Sequence, residues 1–94
     1  MIKSFSEIPK VLDSNTRIQI LSSLYVSDFT YSALKDLCNC SDGKLAGHIK
    51  ILIKQKYITQ KKEFVDNKPR TTYQITSYGK NQLEEYIEFL KNII

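Results

Sequence analysis

Apolar residues recur at helical spacing in five stretches of this chain, and Ser or Thr lies at the start of each stretch. The spacing predicts five helices, because apolar positions three and four residues apart lie on one face of a helix. Ser and Thr favour helix starts, since their side-chain oxygens accept hydrogen bonds from free backbone N–H groups of the first turn. The predicted helices cover about residues 6–12, 15–25, 31–38, 42–53 and 77–94.

Two stretches before the last helix are rich in β-branched and aromatic residues, Tyr57–Val65 and Thr71–Thr76. The segment between them, Asp66-Asn67-Lys68-Pro69, has the composition of a turn, so the two stretches are predicted to pair as a hairpin. A further short strand is predicted at Asp28-Phe29. Alternation along the hairpin predicts four core residues: Ile58, Phe64, Tyr73 and Ile75.

The order of these elements predicts a mainly α protein with a small β-hairpin (α+β), arranged as a winged helix-turn-helix with a C-terminal dimerisation helix. The chain has 94 residues, which suffices for one modest core. We expect a single domain over 1–94, with the helix-turn-helix at about 30–55, the wing at about 57–76 and the C-terminal helix at about 77–94.

Two predicted helices end at residues other than glycine, the residue that most easily adopts the left-handed conformation common at helix ends. Asn39 is the predicted turn residue of the helix-turn-helix, because Asn tolerates the left-handed conformation. Lys56 stands where glycine is usual at a helix end, and a non-glycine residue in the left-handed conformation costs about 1 kcal/mol.

Basic residues are concentrated in the fourth helix and the hairpin. Residues 41–72 contain eight of the fourteen Lys and Arg residues and three acidic residues, a net charge of +5. Residues 1–40 are neutral overall, and residues 73–94 have a net charge of −1. This concentration of positive charge indicates a surface that binds a nucleic-acid duplex. The alternative is a solvated lysine-rich face that binds no partner.

Three segments of the sequence resemble the small archaeal and bacterial winged helix-turn-helix transcriptional regulators near the MarR and ArsR groups. These segments are Arg17–Leu21, Ser41–Leu45 with His48, and Pro69–Thr76 with Gly79. The resemblance implies a homodimeric regulator that binds double-stranded DNA, without catalytic activity and without a cofactor.

In such a fold the second helix of the motif enters the major groove, where Lys44 is expected to reach guanine while Lys50 and Lys54 contact phosphates. Arg70 of the wing is the candidate for minor-groove insertion. The residues expected to contact DNA are Tyr31, Ser32, Lys35, Ser41, Asp42, Lys44, Gly47, His48, Lys50, Lys54, Lys62, Lys68, Arg70 and Thr71.

Gly47 and Ile51 lie on the same outward face and favour two alternatives to a sequence-specific regulator. A glycine reads no base, which favours a non-specific architectural DNA binder. An exposed Ile51 beside it favours a protein-interaction module that retains the winged-helix shape.

The last helix has a broader apolar stripe than a small domain needs, which predicts pairing with a second copy of the chain. The alternative is that the stripe packs only on its own core. The predicted dimer interface comprises Ile8, Val11, Leu12, Leu83, Tyr86, Ile87, Leu90, Ile93 and Ile94. A small-molecule effector would fit only at this interface or between the last helix and the core, and no residue indicates one.

Cys38 and Cys40 are expected to pack in the core, as free cysteine does well. The alternatives are a redox switch or intersubunit disulfide, and a soft-metal site, although a metal needs three or four ligands and only His48 is near in sequence. Arg17 is expected to form an internal ion pair with Asp13 or a later acid.

Several classes of protein are disfavoured. No serine lies in a nucleophile elbow and no glycine-rich phosphate loop is present, so we expect no enzyme. No apolar run has the length of a membrane span and the first residues lack an apolar signal core, so we expect a cytoplasmic protein without membrane association.

Overall fold

The computed structural model describes residues 1–94. In chain order the elements are α1 (Asn15–Val26), β1 (Phe29–Thr30), α2 (Tyr31–Cys38), α3 (Asp42–Lys54), β2 (Ile58–Val65), β3 (Lys68–Ile75) and α4 (Ser77–Ile93). Helices α2 and α3 form the helix-turn-helix, and β2 with β3 forms the wing. The predicted α+β winged helix-turn-helix is confirmed.

The four α-helices begin at the short polar residues that were predicted to cap them. The side-chain oxygens of the four N-caps accept backbone N–H groups three residues on, at 2.9 to 3.3 Å. The N-caps are Ser14, Thr30, Ser41 and Thr76. Asn39 ends α2 in the left-handed conformation, with φ 48°, as predicted.

The predicted first helix is wrong. Two separate 3₁₀ turns, Phe5–Glu7 and Lys10–Leu12, replace a helix over residues 6–12. Pro9 separates them, because the proline ring disfavours helical backbone at the preceding residue, and Ile8 is accordingly extended with ψ 125°.

The three strands form an antiparallel sheet in the order β1-β3-β2. The hairpin turn has two residues, Asp66 and Asn67, with φ 53° and 64°, rather than the four predicted. Two successive positive φ angles are typical of a type I′ turn, whose twist matches that of the strands. Strand β3 therefore begins at Lys68 instead of Thr71, and β1 lies one residue later than predicted.

The core lies between the helices and the base of the wing. Its fully buried side chains are Ile20, Leu21, Leu34, Leu45, Leu52, Ile58 and Leu83. Tyr73 and Ile75 are buried as predicted, but Phe64 is 78% exposed and is not a core residue. The wing extends past the helices. The same face of the hairpin is therefore buried at the base of the wing and exposed to solvent near its tip. No helix of the chain has both the length and the apolar character required to span a membrane.

Candidate nucleic-acid interface

Helix α3 buries one face and exposes a basic one. Leu45, Ile49 and Leu52 pack in the core, whereas the opposite side is exposed. The predicted contacts exposed on α3 are Asp42, Lys44, Gly47, Lys50 and Lys54, and Ile51 is exposed beside them. A Cβ built on Gly47 would meet no atom within 4 Å, so the α3 backbone is open to close approach there.

A groove of about 540 Å³ separates the wing from the start of α2. Five of the predicted DNA contacts line it, namely Tyr31, Ser32, Lys68, Arg70 and Thr71. Val65 and Pro69 line it as well, although the predicted contacts at the wing include only polar side chains. The fold therefore brings the basic side chains of the wing next to the N-terminus of α2.

A second groove, of about 520 Å³, runs between α3 and the sheet. Lys50 and Lys54 line it from α3, and Gln60 lines it from β2. Tyr31 borders both grooves, so the two are neighbours on one side of the molecule. The two grooves and the exposed side of α3, which meets the second groove at Lys50 and Lys54, form one surface that we call the basic face.

Three predicted DNA contacts are bound to one another. Lys35 Nζ lies 3.0 Å from Asp42 Oδ1, and the Tyr31 hydroxyl donates to the same carboxylate at 3.2 Å. Hydrogen bonds from Lys35 and Tyr31, with the charge of Lys35, lower the pKa of Asp42. The hydrogen bond to Asp42 in turn raises the pKa of Lys35. This network ties α2 to the first turn of α3 and neutralises the one acid of that turn.

Arg17 makes no ion pair, so the predicted bond to an acid is wrong. Its Nε donates to the Val11 carbonyl at 2.7 Å and its Nη2 to the Lys10 carbonyl at 3.1 Å. The Lys10 carbonyl also accepts the backbone N–H of Asp13 within the 3₁₀ turn, so Arg17 adds a second hydrogen bond to it. The third partner of Arg17 is His48 Nδ1 on α3, at 3.0 Å from Nη1.

His48 is consequently half-buried, and its Nδ1 atom is bound to Arg17. It is therefore not a free side chain on the flank of α3, as a predicted DNA contact would be. Burial, followed by the charges of Arg17 and Lys44, lowers the pKa of His48. Because Arg is always a donor, Nδ1 accepts and the ring proton lies on Nε2.

Both cysteines are half-buried and pack against the core, as predicted. Burial raises the pKa of the Cys38 thiol, which disfavours the reactive thiolate. No group of three or more His, Cys, Asp and Glu side chains is arranged to hold a metal ion.

The predicted dimer interface divides into buried and exposed residues. Val11, Leu12 and Leu83 are core residues of the single chain, so they are not available at its surface, and Ile8 and Tyr86 pack partly against that core. The N-terminal segment also covers one side of α4, where the Phe5 and Phe89 rings meet edge to face. Of the predicted set, Ile87, Ile93 and Ile94 are exposed and Leu90 is half-buried.

A groove of about 480 Å³ lies between α1 and α4 beside these exposed residues. Tyr25 and Ile87 line it, and the Tyr25 hydroxyl donates to Glu84 at 2.6 Å. This hydrogen bond raises the pKa of Tyr25.

Sequence comparison matches residues 16–94 to the family model described as winged helix DNA-binding domain. The uncharacterized protein MJ0432 of Methanocaldococcus jannaschii is 32% identical to this chain, and the match covers 89% of this chain and 97% of that protein.

Solved structures share the fold. A transcriptional regulator homologue from Pyrococcus horikoshii OT3 matches with TM-score 0.81 at 24% identity, covering 89% of this chain and 84% of that one. A MarR family regulator from Porphyromonas gingivalis W83 matches with TM-score 0.75 at 22% identity, covering 97% and 94%. The adhesin competence repressor AdcR from Streptococcus pyogenes matches with TM-score 0.69 at 26% identity, covering 85% of this chain but 59% of AdcR.

Proposed function

The chain belongs to the winged helix DNA-binding domain family, and we propose on this basis that it is a transcriptional regulator that binds duplex DNA as a homodimer. The solved structures that share its fold include regulators and a repressor by their descriptions, which supports a regulatory role. Nothing in the basic face has the arrangement of a catalytic site.

The observation that carries the proposal is that nearly all basic residues of 41–72 lack an acidic partner in the chain. Of the eight basic residues in 41–72, only Lys61 forms an ion pair, with Glu63 at 3.8 Å. The seven without an ion pair are Lys44, Lys50, Lys54, Lys56, Lys62, Lys68 and Arg70. Charges left without protein partners on one helix and one hairpin complement a phosphate backbone.

The proposed docking follows from the order of these elements. The first turn of α3 enters the major groove, where Lys44 reaches guanine, and Lys50 and Lys54 contact the flanking phosphates. In this docking a DNA phosphate occupies the groove between the N-terminus of α2 and the wing, near Ser32 and Arg70, so Arg70 contacts the DNA backbone rather than entering the minor groove. There the backbone N–H groups of the helix start and the guanidinium both favour an anion.

Homodimerisation would use the exposed part of α4. Ile87 on α4 and Ile94 at its C-cap lie seven residues apart, with half-buried Leu90 between them. Pairing with a second copy would remove this stripe from water and present two α3 helices to two DNA half-sites.

The proposal is tested by fluorescence anisotropy with a duplex from the region upstream of the coding sequence and a scrambled duplex, over a salt series. Neutralising about six phosphates per dimer predicts a log–log slope of roughly −5. Lys44→Ala with Lys50→Ala should weaken binding and flatten the slope. The matched control, Lys3→Ala with Lys10→Ala, removes the same charge from residues outside the basic face and should leave the slope unchanged.

The two duplexes distinguish the forms of DNA binding. A preference for the upstream duplex supports a sequence-reading regulator, whereas equal binding supports the architectural alternative that the open Gly47 backbone favours. If neither duplex binds at low salt, the DNA-binding proposal is wrong and the protein-interaction module, with the exposed Ile51, takes its place.

A further inference from the structure

The wing presents an apolar side chain near its tip that none of the contacts described above uses. Phe64 is 78% exposed, more than any other aromatic ring of the chain, and it lies two residues before the hairpin turn. It lies six positions after buried Ile58 on the same strand. At about 3.3 Å per residue, Phe64 therefore projects roughly 20 Å beyond the last core residue of β2.

Phe64 does not stand alone, because Pro69 is its cross-strand neighbour. Val65 and Lys68 flank the two-residue turn as a hydrogen-bonded pair, so Phe64 and Pro69 form the next, non-hydrogen-bonded pair, in which side chains lie closest. Both side chains are exposed on the same face of the hairpin. The two neighbouring side chains form an exposed apolar ridge, the Phe64–Pro69 ridge.

The ridge lies on the side of the wing that faces the helix-turn-helix. Alternate residues of a strand share a face, so Gln60 and Phe64 of β2 lie on the face that also includes buried Tyr73 of β3. Gln60 lines the groove beside α3 with Lys50 and Lys54. The Phe64–Pro69 ridge thus continues the basic face toward the wing tip.

The charges around the ridge indicate its partner. Lys62 lies on the same face of the wing as the ridge, and Lys68 and Arg70, the chain neighbours of Pro69, lie on the opposite face; all three are exposed and form no ion pair. The acids nearby are Glu63, which binds Lys61, and Asp66 in the turn. An apolar ridge among free cations complements a surface with anionic edges and an apolar floor, which describes the minor groove of DNA, with its phosphates outside and its sugars and bases within.

We propose that Phe64, beside Pro69, is an apolar wedge that enters the minor groove and partly unstacks a base step, bending the duplex toward the major groove. This inference rests on the proposed DNA binding. Pyrimidine–purine steps unstack most easily, so the wedge selects such a step at a position that no polar side chain reads.

The test uses the full-length protein and 30-base-pair duplexes that the wild-type protein enriches from a random library. Energy transfer between fluorophores at the two duplex ends reports bending, and 2-aminopurine placed at successive steps reports unstacking. The wild-type protein and Phe64→Leu, which keeps an apolar wedge, should increase both signals. Phe64→Ala should bind with affinity reduced by no more than about tenfold and increase neither signal.

Lys62→Ala is the matched control, because Lys62 lies two residues away on the same face of the wing. It should weaken binding and reduce the salt dependence while the bound duplex stays bent. The wedge is disproved if the bound duplex stays straight with the wild-type protein, or if Phe64→Ala bends it equally. Failure of the proposed function gives a different result: the wild-type protein enriches no duplex and binds none. In that case the wedge proposal is also wrong.

Discussion

Arg17 of α1 donates a hydrogen bond to His48 Nδ1 of α3 across 3.0 Å, and this bond couples the N-terminal segment to the helix proposed to read DNA. The same guanidinium holds the carbonyls of Val11 and Lys10. One arginine thus fixes the 3₁₀ turn, the start of α1 and the middle of α3. The arrangement requires a neutral imidazole, because a protonated ring has no lone pair to accept with.

We expect the free energy of unfolding to fall as the pH drops below about 6.5, the ordinary pKa of histidine. The pKa of His48 is lowered in the folded chain by burial, Arg17 and Lys44, so the unfolded chain binds the proton first. Stability is therefore fully present above the unfolded pKa and is lost as the pH falls toward the lower, folded one. Thermal melts at pH 7.5 and 5.5 measure this loss.

His48→Gln supplies the control, because an amide oxygen can accept from Arg17 without titrating. His48 is the only histidine of the chain, so the substitution should remove most of the change in melting temperature between the two pH values. An equal change in the variant would show that another group titrates in this range.

Gly79 is required where α4 meets the corner between α3 and β2. A Cβ there would overlap the carbonyl oxygen of Tyr57, which accepts hydrogen bonds from the backbone and side chain of Thr76. Gly79→Ala should lower the free energy of unfolding by about 2 kcal/mol, as overpacking in a well-packed core does. Urea unfolding followed by circular dichroism measures the change.

Gly47→Ala is the matched control for this prediction, since it makes the same substitution inside another helix. No atom lies within 4 Å of a Cβ at this position, so only the backbone entropy changes and stability should rise by about 0.5–1 kcal/mol. A loss of stability in both variants would contradict the steric argument.

The features predicted correctly from the sequence depend on local chemistry. Ser14, Thr30, Ser41 and Thr76 cap helices through bonds to residues three positions on, and such bonds form wherever a helix begins. The concentration of charge in residues 41–72 is likewise visible without a structure, and helical periodicity places most of α3's lysines on its outer face.

The errors arose where the outcome depends on distant parts of the chain. Phe64 has the strand alternation of a core residue, but alternation does not show that the hairpin extends beyond the helices. The partners of Arg17 include a side chain 31 residues away, and carbonyl acceptors leave no trace in a pattern of side chains. Likewise, Val11 and Leu12 are as apolar as interface residues, and only the packing shows that they belong to the core.

Lys56 stores backbone strain at the end of α3. It has φ 66°, and the N–H groups of Lys56 and Tyr57 bind the carbonyls of Ile53 and Leu52 at 3.0 and 2.9 Å. These bonds form a Schellman motif, in which glycine is preferred at the left-handed residue. The helix end is therefore kept in its usual form although no glycine is present.

Lys56→Gly should accordingly make the protein about 1 kcal/mol more stable than Lys56→Ala. Both variants remove the same charge, but only glycine removes the clash of Cβ with the backbone. The midpoints of urea unfolding measure the difference. Equal midpoints would show that the left-handed residue costs nothing at this helix end.

Ile87 tests the proposed homodimer. It is 41% exposed on α4, and its neighbours Glu84 and Glu88 are acidic, so Ile87→Glu places a third negative charge in the apolar stripe. In a dimer the stripes of two copies meet, and the added charges would be buried without partners. Sedimentation velocity at micromolar concentration should show a dimer for the wild-type protein and a monomer for Ile87→Glu, with an unchanged circular dichroism spectrum.

Ile51→Glu is the matched control, because Ile51 is 40% exposed on α3 and receives the same substitution. It should leave the dimer intact and weaken DNA binding, since its carboxylate would face the phosphates beside Lys50 and Lys54. The opposite pattern, a monomer with Ile51→Glu and a dimer with Ile87→Glu, would assign the self-association to the basic face. That result would also favour protein contacts over DNA at α3, because a surface occupied by a second copy could not lie in a major groove.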